Sequence, residues 1–366
     1  MSLTIDVTGL PEDRLLFAPS PLAELAAMLH LLAEPAHHPT LHGWATATAA
    51  RLPTELADRL TEADFLWRHS RADFLIPSRP GATLAEELDA VDRVDDERYA
   101  AAALLTSCGA ARLSYRQSAS PLTDEGARER ARELAAARGP RQAAFTELLL
   151  AKPGEVRRRV RRLLEECGEA FFADTWQQLL PSLAADARHK ADLLARHGLA
   201  AAVAAVSGAA ALEQTADGRR RIVLDKLQDT AVSATERGGL TFVPSAFGRP
   251  HLVAVHATGW QPTVQYPVPE AGLPEAVSLD LVQRRLAALA HPIRLRLART
   301  IARGPHSTGE LAAAWQLTAP EVSRHLAVLR KAGLLTVQRR GRYVLYSLDL
   351  GTSARLGADL VEAVLR

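Results

Sequence analysis

Hydrophobic residues recur at helical spacing near the C-terminal end of the chain. At about 100° per residue, Val322, Leu326 and Leu329 fall on one face of a helix. Thr318 is a good N-cap and Gly333 a good terminator, so we predict a helix between them. The opposite face carries small, polar and basic side chains, namely Pro320, Ser323, Arg324, Ala327 and Lys331.

The segments on either side of this helix predict its context. Upstream, residues 309–315 form a second helical pattern that Ser307 or Thr308 can cap, and a turn of three or four residues separates the two helices. Downstream, β-rich runs at 334–338 and 343–348 are joined across Arg339-Arg340-Gly341-Arg342, where Gly341 gives the turn its conformational freedom. This order of elements predicts a winged helix-turn-helix.

The larger N-terminal part shows mainly helical periodicity. A strand at 3–7 is followed by a helix that starts at Ser20-Pro21. Further helices are predicted at 52–69, 83–106, 124–150, 153–172, 175–198 and 220–228, and strands at 240–244, 252–255 and, as an edge strand, 261–266. The predicted fold class is therefore mainly α (α+β), with a large, mostly helical N-terminal domain carrying a few strands and a C-terminal winged helix-turn-helix domain.

Length and charge predict how the chain is divided. A chain of 366 residues exceeds the usual size of one domain. The Pro-rich segment 266–277 predicts a linker between an N-terminal domain at 1–265 and a DNA-binding domain at 278–366. Residues 278–366 contain 14 Arg and Lys against 6 Asp and Glu, whereas residues 1–277 contain 30 against 36. A basic module of this kind is typical of proteins that bind nucleic acid.

Several short motifs in the C-terminal segment resemble those of a known family. In chain order, these motifs are Leu289-Ala290-His291-Pro292-Ile293-Arg294, then Ser323-Arg324-His325-Leu326, then Leu329-Arg330-Lys331-Ala332-Gly333-Leu334-Leu335. Together they resemble the ArsR-type winged-helix transcriptional regulators over about residues 279–350. The long N-terminal extension is similar to that of actinobacterial ArsR-like regulators of unassigned ligand. The resemblance implies a DNA-binding regulator, more often a repressor, that binds a palindromic operator as a homodimer.

The predicted DNA contacts follow from the two basic elements. The exposed helix face would enter the major groove, because small side chains permit close approach and Arg can bond a base or a phosphate. The hairpin would lie on the DNA backbone or in the minor groove. Helix pairing through 280–301 and 353–365 would set two recognition helices one DNA turn apart. The predicted DNA-binding residues are Thr318, Pro320, Ser323, Arg324, His325, Lys331, Arg339, Arg340 and Arg342.

Metal and redox chemistry have weak support in the sequence. ArsR-type metal sensors carry their ligands either in the helix before the recognition helix or in the last helix. Here the first of these places holds Leu311-Ala312-Ala313-Ala314, and the last helix contains no His. We therefore predict no metal site at either place, and no cofactor. His30, His37, His38 and His42 could gather a metal, but helix capping and backbone hydrogen bonding at a Pro-bounded turn are the interpretation we favour. The lone cysteines, Cys108 and Cys167, are interpreted as small buried hydrophobes rather than as a redox pair.

The remaining N-terminal features leave alternatives open. Aromatic side chains could line a small-molecule effector pocket, although core packing is the favoured role for each: Trp44, Phe65, Trp67, Phe74, Phe171, Phe172 and Trp176. The arginines of 157–162 could reach DNA flanking the operator or the acidic face of a partner, but a solvated face balanced by Glu155, Glu165 and Glu166 is favoured.

No familiar enzyme motif is present, and neither a signal peptide nor an apolar run of membrane length is found, so we predict a cytoplasmic protein that is not an enzyme. Two other functions remain possible. In one, the winged helix binds a protein partner; in the other, an N-terminal enzyme is fused to an autoregulatory DNA-binding domain.

Overall fold

The computed structural model describes residues 2–108, 120–225, 230–268, 277–340 and 343–365. Contacts divide the chain into two compact units, Met1–Leu273 and Pro274–Arg366. Below, these are called the N-terminal unit and the C-terminal unit. Among the described residues, no helix combines the length and the apolar character that crossing a membrane requires.

Nine helices can be traced in the described part of the N-terminal unit. The first, α1, begins at Pro21, where the Ser20 side chain accepts a hydrogen bond from the Ala23 amide. A π-helical turn, Gly168–Phe172, joins the eighth helix to the ninth, which is interrupted at Gly198 with φ 78°. The bounds are α1 Pro21–Ala33, α2 His42–Ala49, α3 Thr54–Ala63, α4 Leu84–Asp92, α5 Asp96–Ser107, α6 Glu125–Ala136, α7 Pro140–Ala151, α8 Pro153–Cys167 and α9 Ala173–Val206.

Two four-stranded sheets complete the described part of this unit. Their strands are β1 Ser2–Asp6, β2 Leu15–Phe17, β3 Ala210–Gln214, β4 Arg220–Asp225, β5 Thr230–Ser233, β6 Leu240–Ser245, β7 Val253–Val255 and β8 Thr263–Pro267. The first sheet has the order β3-β4-β1-β5 and the second the order β2-β6-β8-β7. In the first sheet β1 runs antiparallel to β4 and parallel to β5; in the second, β6 runs parallel to both β2 and β8.

Two large hydrophobic cores and a small third cluster hold the described part of the N-terminal unit together. One large core is helical and surrounds α1, in which eleven of the thirteen residues, Pro21 to Leu31, are buried without interruption. The other packs α9 against both sheets and includes Ile5, Ile222 and Phe242, all fully buried. The aromatic residues considered as a pocket lining belong to the helical core: Phe65, Trp67, Phe74 and Phe172 are buried in it, and Trp44, Phe171 and Trp176 pack against it.

The described part of the C-terminal unit contains five helices and a three-stranded sheet. The order is α10 Leu279–Leu289, α11 Pro292–Ile301, β9 His306–Ser307, α12 Thr308–Trp315, α13 Ala319–Lys331, β10 Leu335–Arg340, β11 Tyr343–Leu348 and α14 Leu350–Leu365. Its core is formed mainly by Leu297, Ile301, Leu311, Val322 and Leu326. The fold is thus a helix-turn-helix followed by a β-hairpin, as the hydrophobic pattern predicts.

The fold class is confirmed, but two element predictions are wrong. The helix predicted at 220–228 is wrong for Arg220–Asp225, which is strand β4 with Ile222 and Leu224 buried on one face, and residues 226–228 lie outside the described residues. Residues 261–266 were predicted as an edge strand, whereas β8 lies between β6 and β7 and is almost entirely buried. The predicted linker 266–277 also includes the last two residues of β8, and residues 269–276 lie outside the described residues.

Candidate nucleic-acid interface

The two helices of the helix-turn-helix, α12 and α13, both begin with a capping box. At each start, a hydroxyl accepts a hydrogen bond from the third helical amide, and a glutamate at that position bonds back to the N-cap amide. The pairs are Ser307 with Glu310 and Thr318 with Glu321, so Ser307 rather than Thr308 caps α12. Gln316 lies in the left-handed region, with φ 54°, and turns the chain between the helices. Glu321 was not identified from the sequence as part of the α13 cap, although the spacing Thr-x-x-Glu predicts a capping box.

The exposed face of α13 carries the predicted small and basic residues. Val322, Leu326 and Leu329 are at most 1% exposed and anchor the helix in its own unit. Pro320, Ser323, Arg324 and Lys331 are exposed. The helix ends as predicted, since Gly333 adopts φ 70° and the Leu334 amide donates to the Leu329 carbonyl at 3.1 Å.

Two of the predicted contact residues have partners within the protein. The Thr318 hydroxyl lies 2.7 Å from Glu321 Oε2, and these hydrogen bonds lower the pKa of Glu321 below its usual range. His325 is half-buried, with its ring centroid 5.0 Å from that of His291 at the start of α11. Burial, followed by the neighbouring His291 and Arg294, lowers the pKa of His325. At neutral pH His325 therefore contributes less positive charge than an exposed histidine would.

The hairpin presents two further cations. Its strands pair antiparallel from Leu335 opposite Leu348 to Arg340 opposite Tyr343. Arg339 and Arg340 are exposed near the tip, and their side chains leave opposite faces because successive residues of a strand alternate. Arg342 and Gly341 lie outside the described residues, so their predicted roles are not addressed by the structure.

Arginines in the two units differ in their partners. In α8, Arg157 pairs with Asp96, Arg159 with Glu155, and Arg161 with Asp89, Asp92 and Glu165. The charge of this basic helix is therefore largely compensated within its own unit. By contrast, no salt bridge to another described residue is formed by the cations of α13 and the hairpin, namely Arg324, Arg330, Lys331, Arg339 and Arg340. These side chains are available to an anionic partner.

The cysteines do not form a second functional site in the structure. Both are buried and free. Burial raises the pKa of Cys108 to about 11 and that of Cys167 to about 12. At neutral pH both thiols are protonated and poorly reactive, because the thiolate is the reactive form.

Comparison with known proteins assigns the two parts of the chain separately. Residues 1–272 match a family of unknown function (DUF5937), and residues 289–338 match a helix-turn-helix domain. Among similar curated proteins, the biofilm growth-associated repressor of Agrobacterium fabrum is 44% identical over 71 residues, which are 19% of this chain and 61% of that protein. A transcriptional repressor SmtB homolog of Synechocystis is 42% identical over 78 residues, which are 20% of this chain and 59% of that protein.

A solved structure also matches this region. It is the homodimeric winged helix-turn-helix DNA-binding domain of a possible ArsR-family regulator from Mycobacterium bovis, 32% identical, covering 24% of this chain and 79% of that one with a TM-score of 0.21. The chain spans about three fifths of the length of the first curated relatives it matches.

The family match covers most of the chain, and the geometry of residues 307–348 agrees with the sequence likeness of that region to SmtB-type repressors. The chain therefore belongs to the family of unknown function DUF5937, and its C-terminal unit is an ArsR-type winged helix-turn-helix domain.

Proposed function

We propose that this chain is a sequence-specific DNA-binding transcription regulator that acts as a repressor. The observation that carries the proposal is the exposed face of α13, where small side chains lie with cations that form no salt bridge to a described residue, beside a cationic hairpin. The two curated relatives described above, which match this unit, are themselves named repressors. The proposed function involves no enzymatic step.

The proposed roles of the side chains follow from their placement. Ser323 and Arg324 read base edges in the major groove, with Pro320 allowing close approach and Lys331 on the phosphate backbone. Thr318 and His325 support the start of the helix and contact DNA from its edge. Arg339, Arg340 and Arg342 lie along the backbone or in the minor groove.

We further propose that two copies bind a palindromic operator together. Nine large hydrophobic side chains of the described residues are notably exposed, and eight of these lie in the C-terminal unit. Four are on α10 or α14: Leu286 is 40% exposed, Leu350 59%, Val361 46% and Val364 59%. Exposed apolar residues concentrated in this way are typical of association surfaces. The proposed partner is a second copy of this chain, paired through residues 280–301 and 353–365.

Selection of sheared genomic DNA on the full-length protein tests the proposal. Retained fragments are sequenced for the wild type, for Arg324→Ala and for a control, Arg158→Ala, which removes an exposed arginine of the N-terminal unit. We expect enrichment of a few intergenic palindromes with the wild type and the control. If Arg324 reads a base, Arg324→Ala should lose about 1–3 kcal/mol of discrimination between sites.

Two results would contradict the proposal. Diffuse enrichment in all three proteins would mean that α13 does not read sequence. A salt dependence of affinity close to zero would mean that the basic face does not neutralise phosphates, and a protein partner would then be the better candidate.

A further inference from the structure

Four histidines from distant parts of the chain meet inside the N-terminal unit. His30 lies on α1, His37 and His38 lie in the short turns that follow it, and His251 lies between β6 and β7. The ring centroid of His30 is 4.7 Å from that of His251, 5.1 Å from that of His38 and 5.6 Å from that of His37. One nitrogen from each of His30, His37 and His251 lies within 4.8 Å of the other two.

Backbone carbonyls fix which nitrogens of this cluster carry protons. His30 Nδ1 lies 3.0 Å from the Trp67 carbonyl oxygen, and His38 Nδ1 bonds to the Arg249 carbonyl oxygen. A carbonyl only accepts, so in each ring Nδ1 donates and Nε2 keeps its lone pair. Metal-binding histidines characteristically donate their second nitrogen to a carbonyl or carboxylate, which orients the ring and fixes its tautomer.

Two nitrogens of the cluster are buried without a partner among the described residues, and two others share a hydrogen bond in which His251 Nε2 donates to His30 Nε2. His30 Nε2 lies 2.9 Å from His251 Nε2. His38 is only 2% exposed, and its Nε2 has no hydrogen-bond partner among the described residues; the same holds for the buried Nδ1 of His37. Buried polar atoms without a partner are uncommon in folded proteins, and a bound ion is one of the standard explanations for them.

Burial, with help from nearby positive charge, keeps the rings of His30 and His38 neutral. Burial, then the positive charge of Arg71, lowers the pKa of His30 far below its usual range, and burial lowers the pKa of His38 to about 4. Neutral imidazole is the form that binds metals. The buried Arg71 opposes a second cation, but the fully buried Glu24 is close enough to interact with Arg71 and offsets its charge.

We propose that His30, His37 and His251 bind a divalent transition metal ion such as Zn²⁺, with His38 as the neighbouring fourth ligand. Imidazole nitrogen suits Zn²⁺, Cu²⁺ and Ni²⁺ and has little preference for Ca²⁺ or Mg²⁺. With bonds of about 2.0–2.1 Å, tetrahedral Zn²⁺ needs nitrogens about 3.3 Å apart. The Nε2 atoms of His30 and His251 would move apart by roughly 0.4 Å from their present distance, and the proton now between them would move to Nδ1 of His251. The ligand nitrogens now lie within 4.8 Å of one another, so none would need to approach by more than about 1.5 Å.

Metal binding by the full-length protein tests the site directly. After treatment with a chelator, the protein is dialysed against Zn²⁺ alone and its metal content is measured; Co²⁺ then reports coordination through its visible absorption. The variants are His37→Ala and His251→Ala, which change half-buried residues, and the control is His42→Ala, an exposed histidine five residues beyond His37. Thermal melting without metal establishes that each variant is folded.

We expect one Zn²⁺ per chain for the wild type and for His42→Ala, with an intense tetrahedral Co²⁺ spectrum. Affinity should fall at least about tenfold in His37→Ala and in His251→Ala, since even second-shell changes commonly cost that much. Wild-type protein that binds no Zn²⁺ would overturn the proposal, as would binding that both variants retain. If either variant fails to fold, a rise in the wild-type melting temperature with Zn²⁺ supports the site and its absence overturns it. The site lies entirely in the N-terminal unit, so this result is independent of DNA binding.

Discussion

Replacing Asp359 by Ala should destabilise the C-terminal unit by about 3–5 kcal/mol, because it leaves a buried arginine without its partner. Arg285 on α10 and Asp359 on α14 form an ion pair with 2.7 Å between Nη1 and Oδ2, and their side chains are 11% and 5% exposed. Arg355 lies 3.5 Å from the other carboxylate oxygen. Arg285→Ala should therefore cost less than Asp359→Ala, since Arg355 remains to compensate the carboxylate.

Hydrogen exchange of the full-length protein measures this effect locally. Amides of α10 and α14 that open only when the unit unfolds give its free energy of unfolding directly. Arg284→Ala is the matched control, because Arg284 is the neighbouring residue on α10 and its pair with Asp280 is largely exposed, so its loss should cost less than about 1 kcal/mol. An Asp359→Ala protein that exchanges as slowly as the control would refute the reasoning and mean that the buried pair contributes little.

Three other perturbations follow from local features. Thr318→Ala removes the N-cap of α13 and should cost the C-terminal unit about 1 kcal/mol in the same exchange experiment; an unchanged rate would contradict the capping role. If Arg339 and Arg340 each contact a phosphate, replacing either by Ala should reduce the slope of log affinity against log salt by about 0.9, and equal slopes in wild type and variants would place both side chains away from DNA. His38, which lies near Arg71 and the other rings of the cluster, stabilises the fold while neutral. Burial lowers the pKa of His38 to about 4, so its contribution is complete above about pH 6.5 and is lost as the pH falls towards 4. Burial lowers the pKa of His30 as well, so each ring should cost about 2 kcal/mol between pH 7 and pH 5. Urea unfolding should therefore show the free energy of unfolding falling by about 4 kcal/mol over this range, and a flat profile would be the contrary result.

The C-terminal unit could be predicted closely because its determinants are local. The caps at Ser307 and Thr318, the apolar stripe of α13 and the terminating Gly333 each act within a few residues, so the sequence displays them together. The exposed face of α13 follows directly from the buried one.

The sheets of the N-terminal unit were harder to predict because their determinants are distant. Ile222 and Leu224 alternate as a strand requires, but two apolar residues in a short basic run also fit a helix. Strand β8 is central rather than peripheral because β6 and β7 pair with it from both sides, which depends on tertiary arrangement. For the same reason the histidine cluster could not be assembled from the sequence: His251 meets His30 across 221 positions of chain.

The placement of β1 and β2 has a consequence for folding during synthesis on the ribosome. Strand β1 sits between β4 and β5, so its second neighbour is complete only when residue 233 has been made. Strand β2, which ends at residue 17, pairs with β6 and gains this partner in full only when residue 245 has been made. At about 5–20 residues per second, the ribosome needs roughly 10–45 s to cover that interval. During this time the apolar strands β1 and β2 lack their partner strands, and their exposed side chains are available for a molecular chaperone to bind.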